Sequence, residues 1–266
     1  MLSNIKAIVP ENLIQLAKKT PKVPVAIVCA QQESVIESAK QACDLNLIDP
    51  IFIGIKSQII NETEKINWDI NNFKIIDCEN DQDSAIEAAS LAKENQIKVM
   101  IKGNIHTDIL MRTYLKKDFS LLGTKRLSHI WHMTTPKNSK PLFITDGALN
   151  VAPRVDVKIH ILNNVVEFAK KINITKPKVA ILSGTEDPIE SMPSSMDAKT
   201  IMERAIKDNI DAFVHGPLAF DNAVSPEAAK IKKINNEVAG KADILLVPNL
   251  ETGNSLSKIM VYFMGA

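Results

Sequence analysis

Short runs of β-branched and other apolar residues recur along the whole chain, and most of them are followed by a turn and a stretch of helical periodicity. Four of these runs, at 24–30, 50–54, 178–184 and 242–248, are apolar at successive positions rather than at alternate ones. Strands of this kind are covered by helices on both faces, as in parallel sheets. The sequence therefore predicts an α/β fold of mostly parallel sheets with flanking helices, in which these four runs are central strands.

The segment 155–172 shows the helical part of the pattern. Its apolar residues recur at steps of three and four, which predicts one helix with a buried stripe. The stripe consists of Val155, Ile159, Leu162, Val166 and Ala169.

Composition narrows the class of function. The 266 residues carry 32 Lys and Arg against 31 Asp and Glu, so a net charge of +1 provides no overall field for nucleic acid or an anionic membrane. Aromatic residues make up only 5%, which leaves few platforms for stacking on single-stranded bases. With 45% hydrophobic and 24% charged residues, the chain has the balance of an ordinary globular protein. We expect a small-molecule site, and neither nucleic acid nor membrane as a partner.

The cysteines and the N-terminus indicate a compartment. Cys29, Cys43 and Cys78 have neither the even number nor the close spacing of a disulfide scaffold or a zinc site, which fits a reducing environment. Residues 1–20 lack the continuous apolar stretch of a signal peptide, and no run of about 20 apolar residues could cross a bilayer. We therefore expect a cytoplasmic protein.

The alternation of strands and helices breaks near the middle of the chain. Two apolar segments, SHIWHMTT (128–135) and PLFITDGA (141–148), are separated only by PKNSK, which is too short for a helical crossover. They are predicted to form an antiparallel pair. Since the chain is long enough for two domains, we place a boundary here, with an N-terminal α/β domain at 1–127 and a second at 128–266.

Residues 99–110 form a first candidate ligand site. VMIK predicts a strand that runs into Lys102-Gly103 and then into a helix capped by Asn104 or Thr107. A cation, a flexible glycine and free helix N–H groups would then lie at the carboxyl edge of a sheet, where ligands bind in α/β folds. The alternative is a surface lysine beside a turn-forming glycine.

Polar loops follow four further predicted strands, at 144–153, 182–187, 214–226 and 248–254. Each could serve only as a turn or a helix cap. Gathered at one sheet edge, however, the four loops would form a binding site. The last segment, 252–266, is predicted to be a helix capped by Asn254 or Thr252, with an apolar final part near Ile259, Val261, Phe263 and Met264.

Metal and nucleophilic chemistry find little support. His129 and His132 are three residues apart on a predicted strand, so they point to opposite faces and cannot share one metal ion. No GxSxG motif marks a nucleophilic serine, and no cysteine has a basic neighbour that would lower its pKa. We expect no metal, and we assign no catalytic residue.

A set of longer strings resembles the phosphate acetyltransferase and phosphate butyryltransferase family. They are MIKGN, LSHIW, ITDGALNVAP, KVAILSGTE, MPSSMDA, HGPLAFDNAVSPEAA, VAGKADILLVP and ETGNSLSKIMVYFMGA. The resemblance covers nearly the whole chain from about residue 21. It implies a two-domain α/β fold like that of isocitrate and isopropylmalate dehydrogenases, with the active site in a cleft. It also implies transfer of an acetyl or butyryl group between coenzyme A and inorganic phosphate, through acyl phosphate and without a metal.

The family pattern continues past the final helix into a strand reading like GAKVPIILTSRAD, whose Ser, Arg and Asp carry oxyanion stabilisation and base catalysis. The sequence stops before them, at Ala266. This leaves a second expectation, a truncated and non-catalytic remnant that still binds CoA or phosphate, with an incomplete N-terminal domain. A dehydrogenase of related fold is a third reading, but we find neither its carboxylate cluster nor a nicotinamide site.

The resemblance and the loops together define the candidate site. CoA or acyl-CoA, inorganic phosphate and acyl phosphate are the expected substrates, with no tightly bound cofactor, and a homodimer is the expected assembly. The candidates for the substrate and CoA-phosphate site are Lys102, Gly103, Ser128, Thr145, Asp146, Asn150, Ser183, Gly216, Pro217, Asp221, Glu251, Gly253 and Asn254.

Overall fold

The structure is a computed structural model that describes residues 2–5, 8–135 and 138–266. Its contacts divide the chain into two units. The N-terminal unit is Ile14–Thr124, and the C-terminal unit consists of Met1–Leu13 and Lys125–Ala266. The sequence predicted a boundary between residues 127 and 128, close to the observed one. It also assigned residues 1–13 to the N-terminal domain, whereas their contacts are with the C-terminal unit.

The helices alternate with the strands along most of the chain. Their bounds are α1 (Glu11–Ala17), α2 (Glu33–Asp44), α3 (Lys56–Lys65), α4 (Asp81–Lys93), α5 (Thr107–Tyr114), α6 (Val155–Lys171), α7 (Pro193–Lys207), α8 (Phe220–Val224), α9 (Pro226–Ile231) and α10 (Leu250–Met264), with a 3₁₀ turn at Lys117–Phe119. The described ranges contain no helix with both the length and the hydropathy needed to cross a bilayer.

The N-terminal unit contains a four-stranded parallel sheet in the order β3-β2-β1-β4. Alternate residues of β1 enter two different cores: Val25 and Ile27 pack in one cluster, and Ala26 and Val28 in another. Both faces of the sheet are thus covered, which requires apolar side chains at successive positions. The runs at 24–30 and 50–54 are confirmed as the inner strands. The strands are β1 (Val23–Val28), β2 (Ile48–Gly54), β3 (Lys74–Asp77) and β4 (Val99–Lys102).

The C-terminal unit contains a mixed five-stranded sheet in the order β5-β6-β9-β7-β8. Only β5 runs antiparallel, to β6, which confirms the predicted antiparallel pair; residues 136–137 between them lie outside the described ranges. The runs at 178–184 and 242–248 are confirmed as inner strands. The strands are β5 (Trp131–Thr135), β6 (Asn138–Thr145), β7 (Lys178–Leu182), β8 (Phe213–Leu218) and β9 (Ile244–Leu246).

The predicted helix at 155–172 corresponds to α6, and its stripe packs against β7 and β9. The buried surface is wider than one stripe, because Ile161 and Val165 are also buried. A helix that lies across a sheet buries more than the narrow seam of a helix pair.

The start of α10 differs from the prediction. Its N-cap is Asn249, whose side-chain oxygen accepts the Thr252 N–H at 3.0 Å, so the expected caps Thr252 and Asn254 lie inside the helix. Gly253 marks close packing rather than a turn: a Cβ there would lie 2.9 Å from the Asp146 carbonyl oxygen. The Thr-Gly-Asn string is typical of a turn, and tertiary contact overrides that local preference.

The start of α5 also differs. Its N-cap is His106, not Asn104 or Thr107, and no side chain caps the helix. The Asn104 N–H donates to the Cys29 carbonyl oxygen at 2.9 Å, which ties residue 104 to the residue that follows β1. His106, two residues further along, is therefore the residue at which the helix begins.

Candidate functional site

The carboxyl ends of β6, β7, β8 and β9 meet at one edge of the sheet in the C-terminal unit, because these four strands are parallel. The four polar loops predicted from the sequence follow these strands and therefore share that edge. We call it the C-terminal edge, after the unit to which it belongs. The carboxyl ends of β1 to β4 form the corresponding edge of the N-terminal unit, which we call the N-terminal edge.

Asp146 organises the loop after β6. Its side chain is only 2% exposed, and one carboxylate oxygen accepts the N–H groups of Ala148 and Leu149, both at 2.9 Å. The other oxygen accepts the Asn150 side-chain amide at 2.6 Å. Three donors compensate the cost of burying this charge. The structure therefore places Asp146 beneath the surface of the loop, where it shapes the backbone.

Thr145 and Asn150 hold the preceding segment, 126–129, against this loop. The buried Thr145 hydroxyl donates to the His129 carbonyl oxygen at 2.7 Å. The Asn150 amide donates to the Leu127 carbonyl oxygen at 2.9 Å, and its side-chain oxygen accepts Arg126 Nε at 3.3 Å. Sequence reasoning missed Arg126, because only the fold brings it beside the loop.

Ser128 is held from α6. The Asn164 side-chain amide donates to the Ser128 hydroxyl at 2.9 Å and to the Arg126 carbonyl oxygen at 2.7 Å. Ser128 is half-buried, and its oxygen is used as an acceptor. Its own hydrogen has no acceptor among the described residues, so it can be donated to a ligand.

His129 is a polar group at this edge that sequence reasoning considered only as a metal ligand. Burial lowers its pKa, although the Asp146 charge acts in the opposite direction, so the ring is neutral at pH 7. Its Nδ1 is buried and without a hydrogen-bond partner among the described residues, and the ring packs edge-on against Trp131 at 5.2 Å. His132 instead contacts Phe143 at 5.0 Å. No group of three or more potential metal ligands occurs in the described ranges.

Ser183 follows β7 and meets a second hydroxyl. Its oxygen lies 2.9 Å from that of Ser194, and its hydroxyl also lies 3.3 Å from the Met192 sulfur. Both serines are half-buried. Ser194 lies in the first turn of α7, within the string MPSSMDA, and was not among the predicted site residues. One of the two hydroxyl hydrogens joins the serines, and the other has only the weakly accepting Met192 sulfur, which an anion could replace as acceptor.

The loop after β8 contributes both buried and exposed groups. Gly216 and Pro217 lie within β8 and are buried, and a Cβ at residue 216 would approach Ile181 to 2.6 Å. Asp221 is exposed at the start of α8. The neighbouring Asn222 is fully buried and donates its amide to Glu186 in the loop after β7. This bond joins two of the four loops.

The N-terminus of α10 packs directly on the loop after β6. Gly253 approaches Gly147 so closely that a Cβ would lie 2.9 Å from the Gly147 Cα. The Asn254 amide donates to the Gly147 carbonyl oxygen at 3.1 Å. Glu251 is exposed on the first turn. The predicted residues of these two segments are therefore neighbours.

Lys102 and Gly103 lie at the N-terminal edge. The exposed Lys102 ammonium lies 3.4 Å from the Gly103 carbonyl oxygen. A Cβ at residue 103 would lie 2.3 Å from the Cys29 carbonyl oxygen, so the glycine permits a close backbone approach. The buried Cys29 thiol lies 3.5 Å from Asp81, and burial raises its pKa to about 11. A thiol with so high a pKa is a poor nucleophile.

Comparison with known proteins identifies the family. A model described as "Phosphate acetyl/butaryl transferase" matches residues 80–266. The chain is 37% identical over 252 residues to the phosphate butyryltransferase of Clostridium acetobutylicum, covering 94% of this chain and 84% of that protein. It is 34% identical over 257 residues to the phosphate acetyltransferase of Rhizobium meliloti, covering 96% and 81%.

A solved structure of a named relative has the same fold as this chain. The crystal structure of a branched-chain phosphotransacylase from Enterococcus faecalis superimposes with a TM-score of 0.77 at 31% identity, covering 90% of this chain and 84% of that one. The α/β architecture predicted from the apolar runs is thus found in a solved relative. The chain belongs to the phosphate acetyl/butyryl transferase family.

Proposed function

We propose that this chain is an acyltransferase that moves an acetyl or butyryl group between coenzyme A and inorganic phosphate. The observation that carries the proposal is its match, over 94% and 96% of its length, to one relative named for butyryl transfer and another named for acetyl transfer. CoA and acyl-CoA, acyl phosphate and inorganic phosphate are then substrates, and no tightly bound cofactor is required.

In this reaction the CoA sulfur attacks the carbonyl carbon of acyl phosphate. A C–S bond forms, the bond between the carbonyl carbon and the phosphate oxygen breaks, and the thiol proton ends on the released inorganic phosphate. The protein must hold a phosphate and stabilise the negative oxygen that develops on the carbonyl. The C-terminal edge supplies neutral donors for this work, since Ser183 and Ser194 share one hydrogen bond and Ser128 retains a free hydroxyl hydrogen.

The test is thioester formation from CoA with acetyl, propionyl and butyryl phosphate. We expect turnover with at least one of them, and the ratios of kcat/KM among the three define the acyl preference. Ser183→Ala should lower kcat/KM about 10–100-fold, which corresponds to losing one hydrogen bond to a charged group, about 1.5–3 kcal/mol. Ser38→Ala is the matched control, because Ser38 is an exposed serine of α2 that bonds only within its helix.

Absence of thioester with all three substrates, in protein shown to be folded, would overturn the proposal. Calorimetric binding of CoA without any turnover would instead support a non-catalytic CoA-binding protein. Both measurements use the same preparation.

The proposal extends to assembly and compartment. Ile259, Val261, Phe263 and Met264 are 36–53% exposed on α10, which is a large apolar surface for a monomer to leave in water. We expect a cytoplasmic homodimer, and size-exclusion chromatography with light scattering tests the dimer. A monodisperse monomer with a sharp, cooperative melt would contradict it.

A further inference from the structure

We propose that Arg126 binds phosphate oxygens of the substrate and is held in place for that role by the buried pair Asp146 and Asn150. The inference rests on the proposed acyl transfer, because it assigns the phosphate-binding cation of that same site. It concerns a residue that neither the sequence motifs nor the four loops had singled out.

A chain of two hydrogen bonds orients the guanidinium. The Asp146 carboxylate accepts the Asn150 amide at 2.6 Å, which fixes the Asn150 oxygen on the opposite side of its side chain. That oxygen accepts Arg126 Nε at 3.3 Å. Asp146 and Asn150 are 2% and 8% exposed, so the relay is buried while Arg126 itself is exposed. A buried acid thus positions a surface cation without neutralising it by direct contact.

The remaining donors of Arg126 are unused. Neither of its terminal nitrogens has a hydrogen-bond or ion-pair partner within the described ranges. Its neighbour Lys125 is different, because its ammonium is paired with Glu167. Arg112 and Arg204 are likewise paired with carboxylates. Arg126 therefore combines a fixed orientation with a free planar fork, the geometry that matches two phosphate oxygens at once.

A second donor lies on the same segment. The Asn164 amide donates hydrogen bonds to both the Arg126 carbonyl oxygen and the Ser128 hydroxyl, so it fixes the chain on either side of Leu127. The Ser128 hydrogen is left to donate. The Arg126 guanidinium and the Ser128 hydroxyl are thus two residues apart on a segment whose backbone is fixed. Together they are suited to one phosphate group, because the guanidinium supplies positive charge and the hydroxyl supplies a neutral hydrogen bond.

The substrates offer two sources of phosphate oxygens. One is inorganic phosphate or the phosphoryl group of acyl phosphate, and the other is the phosphate groups of CoA. The guanidinium would recognise either by the same chemistry. The kinetic test therefore measures the KM for inorganic phosphate and the KM for acyl-CoA separately, in the direction that forms acyl phosphate from acyl-CoA.

The central variant is Arg126→Gln, which keeps a polar side chain and removes the charge. We expect the KM for one of the two substrates to rise about 10–100-fold, the range for losing a charge-assisted, two-point contact, while the other KM stays within twofold. A rise in the KM for inorganic phosphate places Arg126 at the phosphate of acyl phosphate, and a rise in the KM for acyl-CoA places it at the phosphate groups of CoA. Arg126→Lys should recover only part of the affinity, because an ammonium keeps the charge and loses the fork.

The matched control is Lys125→Gln. It removes the same charge from the adjacent residue, but that residue is already paired with Glu167. We expect both of its KM values to remain within twofold of the unmodified protein. An equal rise in KM in the two variants would mean that only the overall positive charge of this region matters, and it would overturn the inference. Unchanged KM values in Arg126→Gln would overturn it as well.

Binding without turnover keeps this inference separate from the proposed function. Calorimetric titration with CoA and with inorganic phosphate, on the unmodified chain and on Arg126→Gln, needs no catalysis. If the unmodified chain binds one of these but forms no thioester, the acyltransferase proposal fails, and the loss of that binding in the variant still supports Arg126. If turnover is normal and binding is unaffected by the substitution, the role of Arg126 fails alone.

Discussion

The two sheet edges are built in different ways. At the N-terminal edge, close backbone contact dominates: Gly103 donates its N–H to the Val28 carbonyl oxygen at 2.8 Å, and the nearby Cys29 thiol is buried. At the C-terminal edge, side chains hold the loop in place. Asp146 alone accepts hydrogen bonds from three donors, and it is linked to Arg126 through Asn150. The contrast shows that an α/β sheet can position its loops either by backbone fit or by a buried polar network.

The two tryptophans allow the units to be followed separately. Trp68 lies in the N-terminal unit and Trp131 in the C-terminal unit. In a Trp68→Phe background the fluorescence reports the C-terminal unit, and in a Trp131→Phe background it reports the N-terminal unit. Each of the following predictions uses this pair of reporters in urea unfolding of the full chain.

The largest effect is expected from Asp146→Ala. Removing the carboxylate leaves the N–H groups of Ala148 and Leu149 and one hydrogen of the buried Asn150 amide without their acceptor. We expect the free energy of unfolding reported by Trp131 to fall by about 3–5 kcal/mol, as several buried donors lose their partner together. Asp156→Ala is the control, because Asp156 lies in the same unit and belongs to an exposed pair with Arg204, so its loss should cost less than about 1 kcal/mol. Equal losses in the two variants would contradict the network.

A smaller loss is expected from Gly103→Ala at the other edge. The added Cβ would lie 2.3 Å from one backbone oxygen and 2.7 Å from another, so the strand end must shift. We expect a loss of about 2–3 kcal/mol reported by Trp68. Gly147→Ala is the counterpart in the C-terminal unit, where the nearest atom would be 3.1 Å away, and it should cost less than about 1 kcal/mol. A reversed order would mean that backbone fit does not distinguish the two edges.

Alkaline pH should affect the N-terminal unit through Cys29. Burial raises its pKa from 9.0 to about 11, so above pH 9 the unfolded chain releases this proton while the folded chain keeps it. The contribution of the neutral Cys29 thiol to the free energy of unfolding is therefore complete below pH 9. It decreases by about 2 kcal/mol as the pH rises to 11. Cys29→Ser should flatten this part of the pH profile reported by Trp68. The same slope in both proteins would show that other groups cause it.

Acidic pH should affect the C-terminal unit, with the smallest effect. Burial lowers the pKa of His129, His132 and His215 below the ordinary value of 6.5. As the pH falls below 6.5, the unfolded chain takes up protons before the folded chain does, so the free energy of unfolding decreases. Comparing pH 7.5 with pH 5.5, the Trp131 reporter should show this loss and His215→Asn should reduce it. A profile with no loss at pH 5.5 would contradict the assignment.

The sequence by itself determined the class of the fold, the inner strands and the family. Continuous apolar runs indicate strands covered on both faces, and a connection as short as PKNSK permits only an antiparallel pair. These features depend on residues close together in the chain and on how much apolar surface each element must bury. The same local information sufficed to place polar loops after the strands, because parallel strands end at a common edge.

Only the tertiary structure decided which polar residues serve the backbone and which remain free. Asp146 and Asn150 resemble surface loop residues in the sequence, yet the fold buries them as acceptors and donors, and it brings Arg126 beside them. Helix starts were decided in the same way, since Asn249 rather than Asn254 caps α10. The reason is physical: whether a polar side chain bonds to its own loop, to a neighbouring segment or to a ligand depends on partners distant in sequence, which no local pattern contains.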